Sequence, residues 1–218
     1  MGIATAYGEF HGADLPGRLL VSHDGGYGER FEYLLTGIAG MIMLFVGWKT
    51  HVRAYLALAV LFGLLTADNA LSLHENFGAW SAPIIKQAGI TDNAQHYGEF
   101  AFMLCFGLFM LGVILAAEKS SDEQHRNRVL LMIMLVTCAA GFGVGMDMID
   151  TILLTPGTAA VAISIFVEDA GELWCISATA IGAIAIAARI RREQARHVAP
   201  APPRHSAHDQ RVTATPPL

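Results

Sequence analysis

Five apolar stretches run through this chain, at about residues 31–48, 54–77, 97–117, 129–153 and 158–188, with polar segments between them. At about 1.5 Å of rise per residue, each is long enough as a helix to cross a hydrocarbon core about 30 Å thick. The pattern predicts an all-α fold, an integral membrane bundle of five transmembrane helices. The second stretch turns polar in its last third. The fifth is longer than one crossing needs, so it must tilt or project from the bilayer. Residues 1–30 form the segment before the first span, and 31–190 the five-helix domain. The tail, 191–218, is rich in Pro, Ala, Arg and His, has no apolar periodicity, and is expected to be disordered. In the N-terminal segment, residues 15–20 are apolar in character and His23-Asp24-Gly25-Gly26 is a turn signal, which suggests a surface cap. No leader with a basic start and apolar core is recognisable there, so the first span is expected to act as the insertion signal.

Composition agrees with this reading. The 218 residues are 54% hydrophobic and 15% charged, against about 25% charged in a soluble domain; mean hydropathy is +0.46. The net charge of −5 hides an asymmetry. Lys49, Arg53, Lys119, Arg126, Arg128, Arg189, Arg191, Arg192, Arg196, Arg204 and Arg211 all fall on one side of the five spans, and only Arg18, Arg30 and Lys86 on the other. The positive-inside rule then puts the N-terminus outside and the C-terminus in the cytoplasm, as for a multi-pass protein of the inner (plasma) membrane. The expected surroundings are the lipid bilayer and, for a chain of this size, a homodimer or larger membrane complex. No basic surface suits nucleic acid. Cys105, Cys138 and Cys175 lie within apolar segments, lack metal-type spacing, and read as packing residues.

Against this apolar background stand eight carboxylates: Asp68, Glu75, Glu99, Asp147, Asp150, Glu168, Asp169 and Glu172. An ionisable group in lipid costs a few kcal/mol or more, so it is seldom there without a role. Topology brings all of them to the outer end of spans two to five. Helical spacing sharpens the picture: Asp68, Ser72 and Glu75 stand at i, i+4 and i+7, His96 and Glu99 at i, i+3, Asp147 and Asp150 likewise, and Glu168 and Glu172 at i, i+4. His74 is turned away from the Asp68 stripe, and Asp169 from Glu168.

So many carboxylates in a low dielectric must take up protons or bind cations. Oxygen-rich sites with few histidines suit a divalent metal ion such as iron, manganese, calcium, magnesium or zinc. Asp68, Glu75, His96, Glu99, Glu168 and Glu172 are the expected ligands, supported by Ser72, His74, Asp147, Asp150 and Asp169. Soluble di-iron bundles use Glu-x-x-His on two helices; His96-x-x-Glu99 has that spacing in reverse order, on one helix alone. Simpler roles are open for several of these residues. Asp147 and Asp150 could end span four at the water boundary before a turn at Thr155-Pro156-Gly157, and Asp68 or Ser72 could bond across helices. Gly141-Phe142-Gly143-Val144-Gly145 lacks the strand and lysine of a phosphate loop and reads as close helix packing, as do Thr36 and Gly40. Met41, Met43, Met132, Met134, Met146 and Met148 read as apolar filler. His197, His205 and His208 belong to the solvated tail.

Asp68-Asn69-Ala70-Leu71-Ser72-Leu73-His74-Glu75 resembles the Asp-x-x-x-Ser-x-His-Glu element of a loose group of small uncharacterised bacterial polytopic membrane proteins. Glu168-Asp169-Ala170-Gly171-Glu172-Leu173 resembles their Glu-Glu-x-x-Glu-Leu element, with Asp169 in place of the second Glu. The resemblance covers about 14 residues plus the span pattern and implies that the two segments form one site. Alkaline-ceramidase-like hydrolases bind zinc through histidines that spans four and five here lack. Three functions remain in view. The first is a cation-binding membrane protein, as a metalloenzyme or otherwise. The second is a proton- or cation-coupled carrier or channel using Asp68, Glu168 and Glu172. The third is an accessory subunit of a larger complex.

Overall fold

The computed structural model describes residues 26–90, 92–119, 121–153 and 158–198. Among them run six helices: α1 Tyr27–Thr50, α2 Arg53–Leu71, α3 Leu73–Gln87, α4 Ala94–Glu118, α5 Glu123–Leu153 and α6 Ala159–Val198. All but α3 are long and apolar enough to cross a membrane. Five helices of membrane-spanning length and composition thus stand where five spans are expected, and no strand occurs among the described residues. α1 packs on α2 and α6, α3 on α4, and α5 on α6, while α2 closes against α4.

The bundle has two unlike halves. Ala39, Met43, Tyr55, Leu58, Phe62, Met110, Ile114, Val129, Met132 and Ala183 form a continuous buried core at the end bearing the basic loops. Gly40 and Gly47 let α1 and α2 approach there. A Cβ on Gly40 would stand 3.2 Å from Phe62 Cβ, and one on Gly47 3.0 Å from the Leu56 backbone nitrogen. Beneath this core, Tyr55 Oη lies 3.0 Å from His125 Nδ1, and Arg128 and Gln124 both donate to Glu193. These bonds carry α6 on to Val198, so residues 191–198, assigned by the sequence to the tail, are helical. The rest of that tail (with His205 and His208), the N-terminal cap over 1–25 and the turn at Thr155-Pro156-Gly157 lie outside the described residues.

The second apolar stretch departs from its hydropathy. It does not run to residue 77 as one helix. α2 ends at Leu71, Ser72 takes a left-handed backbone (φ 49°, ψ 47°), and α3 starts at Leu73. A non-glycine residue in that region is strained and needs support. The support comes from Asp68, which is buried. Its carboxylate accepts the backbone N–H of His74 at 3.0 Å and lies 2.9 Å from His74 Nδ1. One of the orphan N–H groups at the start of α3 is thus satisfied by a side chain from α2. The stripe expected from Asp68, Ser72 and Glu75 does not form, because the helix that would carry it breaks in its middle.

Beyond the break, α3 folds back along α4. Gly78 and Gly98 face each other at the crossing, and a Cβ on Gly98 would collide with Ser81 Oγ and stand 3.0 Å from Gly78 Cα. This close approach delivers His96 and Glu99, at the start of α4, to the same end of the bundle as the acids of α5 and α6.

Candidate functional site

At the end of the bundle opposite the core, the helices part around a cleft of about 430 Å³. Carboxylates from five helices line it: Glu29 and Glu32 from α1, Glu75 from α3, Glu99 from α4, Asp147 from α5, and Glu168, Asp169 and Glu172 from α6. His74 and His96 complete the ionisable lining, and no Lys or Arg is among the described lining residues.

The tightest grouping is His96, Glu99 and Asp147, each of which offers one ligand atom within 4.8 Å of the others. His96 Nδ1 lies 3.4 Å from Glu99 Oε2 and 3.6 Å from Asp147 Oδ2. These separations are long for hydrogen bonds, and Nδ1 is buried without a hydrogen-bond partner. They match the separation of about 3.4 Å between ligand atoms that each sit about 2.1 Å from one tetrahedral ion. Gln95 Nε2 donates to the other Glu99 oxygen at 2.8 Å and orients it.

A second grouping lies across the cleft. Glu32 interacts electrostatically with Glu172, Asp169 and Glu29. Glu168 interacts with Asp147 as well as with Asp169 and Glu172, and so links the two groupings. Gly143 makes this arrangement possible: a Cβ there would stand 2.9 Å from Glu172 Oε2. Gly171 likewise accommodates the ring of Phe142. These two glycines serve the close packing expected of the glycine-rich run, whereas Gly141 and Gly145 face open space.

The structure thus brings together Glu75, His96, Glu99, Glu168 and Glu172 of the expected ligands. Asp68 stands apart. It is absent from the cleft lining, and His74 occupies both of its oxygens. Asp147 and Asp169, expected only as supports, line the cleft, and so does His74. Ser72 is the hinge residue. Asp150 is not part of the cleft lining, and its Oδ1 is buried without a hydrogen-bond partner. Glu29 and Glu32 were not anticipated. Their signal was present nonetheless: Glu32, Thr36 and Gly40 recur at i, i+4 and i+8, so the face of span one expected to contact another helix also carries a carboxylate.

His74 makes the site sensitive to pH. Its hydrogen bond to Asp68 holds the imidazolium above the ordinary histidine range, with partial burial opposing and the charges of Asp68, Glu75 and Glu99 adding. A pKa raised in the folded state contributes stability that is fully present below the unfolded value of about 6.5 and is lost as pH rises through the folded value. Thermal unfolding in detergent is therefore expected to show a falling midpoint as pH rises from about 6. His74→Gln should flatten that slope, and an unchanged slope would remove His74 as its source.

The family model for a domain of unknown function, DUF8692, matches residues 31–197, and the chain belongs to that family. No curated protein and no solved structure matches it.

Proposed function

We propose that this DUF8692 member is a divalent-cation-binding protein of the inner (plasma) membrane, with its site in the outer half of the bilayer and the chemistry of a metalloenzyme. The observation that supports it is a cleft whose described lining has eight carboxylates and two histidines and, among the described residues, no Lys or Arg. Like charges at that density call for a counter-cation. Orientation follows from the basic residues: Lys49, Arg53, Lys119, Arg126 and Arg128 flank the core end, so that end faces the cytoplasm and the cleft faces outward.

His96, Glu99 and Asp147 hold the ion in this reading. One nitrogen and two carboxylate oxygens suit manganese, iron or zinc better than calcium. Three protein ligands leave a position open for water or substrate, as in catalytic sites. A divalent ion there supplies Lewis acidity and a water of lowered pKa. Glu168, which interacts with Asp147, would be the nearby carboxylate available as a base for chemistry of that kind. The apolar core under the cleft favours a binding site over a carrier.

Elemental analysis of detergent-purified protein tests this, with wild type beside His96→Ala/Glu99→Gln, which removes two of the three ligands. About one ion per wild-type chain is expected, with most of it lost in the double variant while cooperative unfolding is retained. Wild-type protein that carries no transition metal after incubation with manganese, iron and zinc would sink the proposal.

A further inference from the structure

A second cavity, of about 390 Å³, adjoins the first and has the opposite character. It lies among α2, α4 and α5, and Thr137 brings the one side-chain hydroxyl to an otherwise apolar lining. Phe100, Met103 and Val144 line both cavities, so the two are continuous. Met103 is one turn below Glu99 and Val144 one turn below Asp147, which puts the mouth of the groove directly under the His96, Glu99 and Asp147 grouping. Gly107, Gly141 and Gly145 hollow out the groove, and a Cβ on any of them would meet nothing within 4 Å. These glycines are therefore not where helices touch. Along α4 the groove runs from Phe100 to Ile114, about 21 Å at about 1.5 Å per residue. That exceeds the ~15 Å half-thickness of the hydrocarbon core that one leaflet's chains fill.

We propose that the two cavities form one site for a phospholipid, with an acyl chain in the groove and a phosphate oxygen on the cation at His96, Glu99 and Asp147. The inference rests on the cation reading above. The occupant follows from the surroundings and from charge. α4 and α5 face the bilayer, which supplies acyl chains at high concentration to an apolar groove that opens at the acid cleft. A phosphate is repelled by the cleft carboxylates unless a cation stands between them. Phospholipid binding is therefore cation-dependent, which no ordinary lipid contact of a membrane helix would be. A lipid with a cationic headgroup and no phosphate would behave in the opposite way, since it competes with the ion.

The test uses full-length protein in detergent and a phosphatidylglycerol with a photoactivatable diazirine near the end of one acyl chain. Labelled peptides are located by mass spectrometry, and bound manganese is measured in the same samples. With manganese, labelling is expected to concentrate on the α4 and α5 segments that line the groove. It should fall at least tenfold with EDTA, and likewise in Gly141→Phe, which fills the groove while leaving manganese binding intact. Gly107→Leu serves the same purpose should Gly141→Phe fail to fold. Labelling spread evenly over lipid-facing helices, unchanged by EDTA, or unchanged in the filled groove would overturn the lipid site while bound manganese upheld the cation site. Absence from the wild type of bound manganese, and of iron and zinc offered in its place, would overturn both.

Discussion

His96→Ala is expected to lower the affinity for manganese by more than about a hundredfold, because it removes a direct ligand of the proposed site, whereas partners one shell further out are already worth about 10–100-fold. The expectation rests on geometry. His96 Nδ1 is the only nitrogen in the grouping, stands 3.4 and 3.6 Å from its two carboxylate partners, and is buried with no hydrogen-bond partner. Alanine leaves two carboxylates, whose mutual repulsion then opposes their approach to a single ion. Glu99→Gln and Asp147→Asn weaken binding as well, since each removes a charge. Lys86→Ala, at the exposed end of α3, leaves affinity unchanged. Competition titration against a chelating dye measures all four. A His96→Ala affinity within threefold of wild type would move the ion elsewhere in the cleft, and the Glu32, Asp169 and Glu172 grouping would be the place to look.

Asp68→Ala is the most damaging single change expected for stability, at about 3 kcal/mol, because it removes two bonds to one partner where charge-assisted bonds contribute about 1.5–3 kcal/mol each before relaxation. Both bonds go to His74, one to its backbone N–H and one to its ring. Their loss leaves the first turn of α3 uncapped and the left-handed Ser72 without support. Asp68→Asn keeps an acceptor for the N–H and should cost about half as much. Thermal unfolding in detergent reads both variants. A double-mutant cycle with His74→Ala isolates the pair, and a coupling below about 0.5 kcal/mol would show that the break at Ser72 is held by something else.

The Asp68–His74 pair also shows where sequence reasoning stopped. The spans were legible because about 20 consecutive apolar residues have few alternatives to a membrane helix. The convergence of acids followed from topology and the basic loops, without any contact having to be known. The break was not legible from hydropathy. Residues 68–75 contain no Gly or Pro, and a helical stripe drawn through them is self-consistent. One local sign existed: Ser72-Leu73-His74-Glu75 has the Ser-x-x-Glu form of a helix start. In the structure Ser72 makes no side-chain cap bond, and the cap comes from Asp68 on the preceding helix. A residue that reads as a ligand because it is a buried acid is thereby committed to holding the chain's fold. Glu32 was missed for the opposite reason. It sits at the very start of an apolar run, where a carboxylate passes for the end of a span, and only the packing of α1 against α6 brings it to Glu172.

The apolar core under the cleft bears on the electrical setting of the site. A transmembrane voltage drops mainly across material of low dielectric, and moving one elementary charge through the whole drop is worth about 2.3 kcal/mol per 100 mV. Here that material includes the layer of Met43, Leu58, Phe62, Met110 and Met132, which lies beneath the acids. An ion held among His96, Glu99 and Asp147, as proposed, would have crossed only the smaller part of the field. In that reading its occupancy would answer chiefly to concentration and pH on one side, and the energised state of the membrane would do the smaller part of the work on it.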